Sequence, residues 1–273
     1  MKLQLTLKTA EKGACIPVNY PYYLSAAIYK ILYSADKEYA TFLCQQGYGQ
    51  AESMKRFKLF TASDIKTPFK IVGDRLNLLS DEARVVVFFH LPTAAEKFIR
   101  GLFFHQRLEI ADRHSRCVFK VADVRVLPVI ALDVDDDPTA LHELLLRPIS
   151  PVVTGLKNLK GYYDFIAPGH EAFNSLILQN WQAKYTSLYG EELAGRAFKD
   201  AYVEAVILAA PPRSRLIAIK AGTREETKIR GFVNFHMKVK GTTDALELLI
   251  NSGAGIYNSQ CLGAVEVVNP VAV

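Results

Sequence analysis

The chain has 273 residues, 50% of them hydrophobic, and its 33 Lys and Arg against 28 Asp and Glu give a formal net charge of +5. That length suits one large or two medium domains with real cores, and that charge admits a polyanionic partner without requiring one. No run approaches about 18 uncharged apolar residues and the N-terminus holds no apolar signal core, so a cytoplasmic protein with no membrane span is expected.

Residues 2–8 alternate, Leu3, Leu5 and Leu7 facing one way and Lys2, Gln4, Thr6 and Lys8 the other, which predicts a half-buried strand. Pro17 and Pro21 punctuate a loop; Leu24, Ala27, Ile28, Ile31 and Leu32 then recur at helical spacing and predict a helix over 22–34. A second short helix is expected from Asp36, its N-cap, to Gly47. Runs rich in strand formers follow at 56–62 and 85–91, with a hairpin around Gly73-Asp74 between them. Residues 93–107 read as a helix opened by a capping box of Thr93 and Glu96, and 117–127 alternates again. Strand, helix, strand, strand, helix, strand is the ferredoxin-like order.

The acidic stretch Asp133-Val134-Asp135-Asp136-Asp137 before Pro138 breaks the pattern and reads as a solvated loop rather than a magnesium site. It places a linker at 131–146 between domains of 1–130 and 147–273. In the second half, a strand at 147–153, a helix at 170–189 ended by Gly190 and a strand at 202–209 come first. A hairpin of 215–220 with 228–240, a helix at 243–250 and a strand at 264–268 complete it. The second half thus repeats the element order of the first without repeating its sequence. The fold class is α+β.

Gly253, Gly255 and Gly263 punctuate the turn between the last helix and the last strand. Glycines there let main-chain N–H groups face outward without a Cβ, a concave arrangement suited to phosphate; a plain tight turn is the competing reading. Upstream, Arg213, Arg215, Lys220, Arg224, Lys228, Arg230, Lys238 and Lys240 face only Glu225 and Glu226, so a hairpin here would carry a basic stripe able to follow a phosphate backbone. Lys is also a common guard of edge strands. Tyr257 is a candidate for base stacking. Cys15, Cys44, Cys117 and Cys261 form no CxxC pair, and no two of the six histidines are spaced as ligands with a carboxylate; neither a metal nor a cofactor is expected. His90 reads as structural, whereas His236, among Arg230, Lys238 and Lys240, reads as an RNA contact.

The stretch from Asn19 to Tyr29, the run Phe57-Lys58-Leu59-Phe60-Thr61, the run Arg147-Pro148-Ile149-Ser150-Pro151-Val152-Val153 and the glycine turn bracketing Asn258-Ser259 together carry a resemblance. The chain resembles the CRISPR-associated repeat-RNA processing endoribonucleases of the RAMP superfamily. The resemblance implies two tandem ferredoxin-like domains of the RAMP or RRM kind with antiparallel sheets. It implies binding of CRISPR repeat RNA and metal-independent cleavage of the precursor transcript into guide RNAs. In that reaction a ribose 2′-hydroxyl attacks the adjacent phosphate and leaves a cyclic phosphate. The resemblance places Tyr29, on the first helix, and Lys58, on the second strand, in the catalytic group. The family histidine falls on Cys44, whose thiol has an ordinary pKa near about 8.5 against about 6.5 for imidazole. Read from the residues alone, Tyr29 is a boundary tyrosine, Lys58 a solvated lysine or, with Lys55 and Arg56 nearby, a phosphate contact, and Cys44 a small buried apolar side chain. Cys261 also departs, standing where a glycine is usual. The expected RNA-binding set is Gly253, Gly255, Asn258, Ser259, Gly263, Arg213, Arg215, Lys220, Lys228, Arg230 and Lys238. A repeat-RNA binding protein of the same family that cuts slowly or not at all is the alternative, and subunits of an effector complex or a second copy of the chain stand as further partners.

Overall fold

Strict alternation builds β1 (Lys2–Thr9), whose Leu3, Leu5 and Leu7 are fully buried. The computed structural model describes residues 1–11, 13–50, 55–128, 139–221 and 223–268. In the first half β1 is followed by β2 (Cys15–Pro17), α1 (Tyr20–Ala35), α2 (Lys37–Gln45), β3 (Phe60–Ala62), β4 (Phe69–Val72), β5 (Arg75–Leu78), β6 (Glu82–Phe89), α3 (Pro92–His105), β7 (Arg107–Ala111) and β8 (Arg116–Leu127). The main sheet is antiparallel in the order β3-β6-β1-β8-β7, and β2, β5 and β4 form a small second sheet. Without β7 this is the ferredoxin-like order, with α1 and α3 packed on one face.

The second half comprises β9 (Leu141–Pro148), β10 (Gly155–Lys157), β11 (Tyr163–Phe165), α4 (Glu171–Tyr189), α5 (Glu191–Ala197), β12 (Tyr202–Val206), β13 (Arg213–Ile219), β14 (Thr227–Val233), β15 (His236–Thr242), α6 (Thr243–Ser252) and β16 (Val265–Val267). Its antiparallel sheet runs β12-β15-β9-β16, the ferredoxin-like order again, with the hairpins β10–β11 and β13–β14 inserted. Two tandem ferredoxin-like units are therefore present. Among the described residues no helix is long and apolar enough to cross a membrane.

Local chemistry explains the elements that match expectation. The Asp36 carboxylate accepts from Tyr39 N at 2.9 Å and caps α2, His170 accepts from Ala172 N and caps α4, and Gly190 ends it. Gly73 and Asp74 close the β4–β5 hairpin. Four expectations change. The run 56–62 yields only β3, because Leu59 adopts φ 54 and ends the extended backbone; Lys58 lies in the preceding loop, not on a strand. The segment taken as linker supplies β9 from Leu141, so the second sheet starts before 147, while the acidic run 133–137 lies outside the described residues. The run 228–240 divides at Asn234 (φ 65) into β14 and β15, which belong to different sheets. Thr93 caps nothing: Leu91 is the N-cap of α3, with Pro92 opening the helix.

The halves interlock. Leu59 is buried with the second core, and Cys261, which adopts φ 60, is buried with the first. The thiol at the glycine position thus fills the neighbouring core. Helices α1 and α3 meet at Gly101, where an added Cβ would stand 2.1 Å from the Ile31 carbonyl oxygen. Gly101→Ala is expected to push them apart at a cost of about 1–3 kcal/mol, read as a lowered melting temperature by calorimetry.

Candidate nucleic-acid interface

The glycine turn is folded around one side chain. Asn258 is buried, and its Nδ2 donates to Ala254 O at 3.0 Å and to Leu262 O at 3.1 Å. Gly253 and Gly263 pack against that amide, at φ 86 and φ 76, where any Cβ would collide with Asn258 Nδ2. Gly255, at φ 73, runs beside Val153, and Ile256 N donates to Val153 O. Glycine is thus required for close approach at these three positions, and Asn258 locks the turn rather than reaching outward. Beyond it, Asn258–Gln260 forms a single 3-10 turn, flanked by Tyr257 and Cys261 in the left-handed region. Among the described residues, the N–H groups of Tyr257, Asn258 and Ser259 meet no main-chain carbonyl.

The turn is stitched to the first half. Ser25 Oγ donates to Ser259 O at 2.6 Å, and Thr61 Oγ1 donates to Leu262 O at 2.8 Å. Tyr29 follows Ser25 by one helical turn and so shares its face of α1. Its ring packs edge-on against Phe60, and Ser259 is an electrostatic neighbour of its hydroxyl. Burial pushes the Tyr29 phenol well above its ordinary pKa, so it keeps its proton at neutral pH. Cys44, near the end of α2, is exposed, which corrects the reading of a buried apolar side chain. Lys58 Nζ donates to Cys44 O at 3.2 Å. The Lys58 side chain lies across Gly47, whose added Cβ would stand 2.9 Å from its Nζ; the bare glycine at φ 68 opens that path. Burial lowers the pKa of Lys58 and the neighbouring Cys44 raises it, the first effect being larger. Tyr29, Cys44 and Lys58, separate in sequence, are electrostatic neighbours in space.

Lys58 lines a cleft of about 300 Å³ between the halves, whereas Tyr29 and Cys44 are not among its lining residues. Its walls are Lys55, Arg56, Phe57, Lys58 and Leu59 from one half, and Tyr163, Asn180, Lys184, Ser252 and Gly255 to Ser259 from the other. Among the described residues the lining holds four cations, Lys55, Arg56, Lys58 and Lys184, and no carboxylate. A concave wall of one sign focuses positive potential on whatever enters.

The basic run is dispersed by the pleat. In β13–β14, Arg213 and Arg215 share the face of buried Ile217 and Ile229, whereas Lys228 and Arg230 lie on the other. Arg215 forks onto Asp64 at 2.7 and 2.8 Å, and Tyr20 donates to the same carboxylate at 2.6 Å. Asp64 holds the Arg215 guanidinium charged and committed to fastening the halves together. Lys220 pairs with Glu225, and Lys228 lies 3.7 Å from Glu226. Lys238 is on central strand β15, exposed, with Glu204 directly opposite. Arg213 and Arg230 are exposed. None of these side chains lines the cleft. His90 is held neutral by burial, its pKa pushed down to about 4, in keeping with a structural role.

Three residues at the cleft had no signal in the sequence. Tyr163, on β11, meets Tyr257 edge-on with ring centres 6.3 Å apart. Lys184 is only 2% exposed and donates to Gly253 O and Asn258 Oδ1 at 2.6 Å each. Asn180, one turn earlier on the same helix face, has a buried Oδ1 without a hydrogen-bond partner.

Comparison with known proteins accords with this geometry. Residues 15–125 match the family model described as CRISPR-associated protein Cas6, N-terminal, and residues 135–267 match CRISPR associated protein Cas6, C-terminal. A CRISPR-associated endoribonuclease Cas6 1 from Methanocaldococcus jannaschii is 25% identical over 201 residues, spanning 70% of this chain and 68% of the relative. A solved CRISPR associated protein Cas6 superposes with a TM-score of 0.69 at 22% identity, covering 98% of this chain and 99% of that one. A Cas6-related protein from Pyrococcus furiosus gives 0.77 at 17% identity, covering 98% of each chain. With both halves matched in sequence and both sheets in the same order, the chain belongs to the CRISPR-associated Cas6 family.

Proposed function

We propose that this chain is an endoribonuclease that binds CRISPR repeat RNA in the inter-domain cleft and cuts the precursor transcript without a metal. The observation that carries the reading is the cleft lining, which among the described residues holds Lys55, Arg56, Lys58 and Lys184 and no carboxylate, with Cys44 an electrostatic neighbour of both Lys58 and Tyr29. The 2′-oxygen of the ribose forms a bond to the adjacent phosphorus while the bond from phosphorus to the 5′-oxygen breaks. One proton leaves the 2′-hydroxyl and one arrives on the 5′-oxygen. Tyr29, which keeps its proton, suits donation toward the developing oxyanion or the leaving oxygen. Lys58 offsets charge on the phosphorane. Cys44, at the position of the family histidine, is the group nearest to the role of base. The relative's printed name, an endoribonuclease, supports RNA cleavage as the activity.

A matching repeat RNA incubated with the protein in EDTA is expected to give one cut and a cyclic phosphate on the upstream fragment. Among the described residues no histidine lines the cleft, which favours slow cutting as the second reading. A gel shift without product selects that reading; no binding at low ionic strength overturns both. Cys44→His puts an imidazole at that position and is expected to raise the single-turnover rate near pH 7 by about tenfold or more, within the 10²–10⁴ range of positioned acid–base groups. An unchanged or lower rate removes position 44 from the mechanism.

A further inference from the structure

Lys184 is a buried lysine on α4 whose three hydrogen-bond partners are uncharged oxygens: Gly253 O and Asn258 Oδ1 at 2.6 Å and Ser252 O at 3.5 Å. A lysine in so apolar a position ordinarily has a carboxylate partner or is replaced by a hydrocarbon. Burial pushes its pKa down to about 7, a cost the fold carries without an ion pair in return. What the ammonium holds is specific. Gly253 O is the first carbonyl of the glycine turn, and Asn258 Oδ1 is the free end of the amide around which the turn is wound. The next residue, Ser259, receives Ser25 through its carbonyl and lies beside the Tyr29 hydroxyl. A chain of contacts therefore runs from α4 through Asn258 and Ser259 to Ser25 on α1, one helical turn from Tyr29.

We propose that Lys184 is a positioning residue, the brace that fixes the glycine turn so that Ser259 and Tyr29 are held in register with the scissile phosphate. At 2% exposure, with its donors spent inward, Lys184 acts through the turn rather than on RNA. The brace follows from the contacts alone; its catalytic consequence rests on the proposed cleavage.

Lys184→Met keeps the length and the apolar stem and removes every donor. Without RNA, the amides of residues 253–263 are expected to exchange with deuterium about tenfold or more faster, while the strands of the second sheet stay protected. At saturating repeat RNA the cleavage rate is expected to fall about 10- to 100-fold, with the half-saturating concentration moving less than about threefold, as for a misplaced catalytic group. Wild-type exchange in the turn overturns the brace whether or not the protein cleaves RNA. Faster exchange with a wild-type rate overturns the positioning role and leaves the endoribonuclease reading intact. Faster exchange in a protein whose wild type never cuts supports the brace and removes the endoribonuclease reading. If Lys184→Met does not fold, Lys184→Gln, which keeps an amide donor toward Gly253 O, is read in the same way. Intermediate exchange and rate support the proposal, and wild-type values overturn it.

Discussion

Lys58→Ala is expected to slow cleavage of a matching repeat RNA by about 10²–10³-fold, the scale on which one preorganised donor at a developing oxyanion is lost. Repeat-RNA affinity should change far less, since Lys55 and Arg56 remain in the same lining. The structure explains why a lysine in a loop can act with the precision of one on a strand. Gly47 lets its side chain lie flat across the main chain, and Cys44 O receives its Nζ at 3.2 Å. Because burial lowers its pKa, the cation is lost at a lower pH than for a solvated lysine. The rate should therefore fall on the alkaline side, as pH rises through that lowered value, and Lys58→Arg, which stays charged, should not show this fall. Single-turnover rates across the pH range read both effects. A Lys58→Ala protein that cuts at the wild-type rate removes Lys58 from the chemistry.

Gly263→Ala carries the largest expected cost in stability. At φ 76 a non-glycine residue loses about 1–2 kcal/mol for the left-handed backbone alone. The added Cβ would also stand 2.1 Å from Ala254 O and 2.5 Å from Asn258 Nδ2. Neither group can yield easily, because Ala254 N donates to Gly263 O at 2.7 Å and Gly263 N to Pro151 O at 2.8 Å. Together about 3 kcal/mol or more is expected, equivalent to a fall in Tm of about 6–12 °C. Gly73→Ala is the control: its φ is +60, with nothing within 4 Å of the new Cβ, so it should cost only the backbone part. Equal losses in the two variants, by calorimetry, would mean that the turn yields to the added methyl and would overturn this account of its packing.

The parts of the fold legible in the sequence are those whose information is local. The alternation of β1, the Asp36 cap and the Gly190 stop each lie within a few residues of what they determine. Both ferredoxin-like orders, and the glycine turn as the centre of interest, followed from such signals. What escaped was decided elsewhere in the chain. Leu59 turns to φ 54 because its side chain belongs to the core of the other half, which takes Lys58 off the strand. Strand register, invisible in composition, split the basic run between two faces and two sheets. Arg215 meets an aspartate 151 positions away, and Lys184 an asparagine 74 positions away. In the sequence Arg215 read as part of a basic stripe for RNA and Lys184 carried no signal; in the structure one fastens the halves together and the other is inside the turn.

The account depends most on the cleft being where RNA lies, and hydrogen exchange in the presence of repeat RNA tests that most directly. With a 2′-deoxy nucleotide at the cut site to prevent turnover, bound RNA should slow exchange in residues 55–59 and 253–263 together, the two walls that face each other. Protection confined to the β13–β14 hairpin or to the open faces of the sheets, with both walls unchanged, would contradict it.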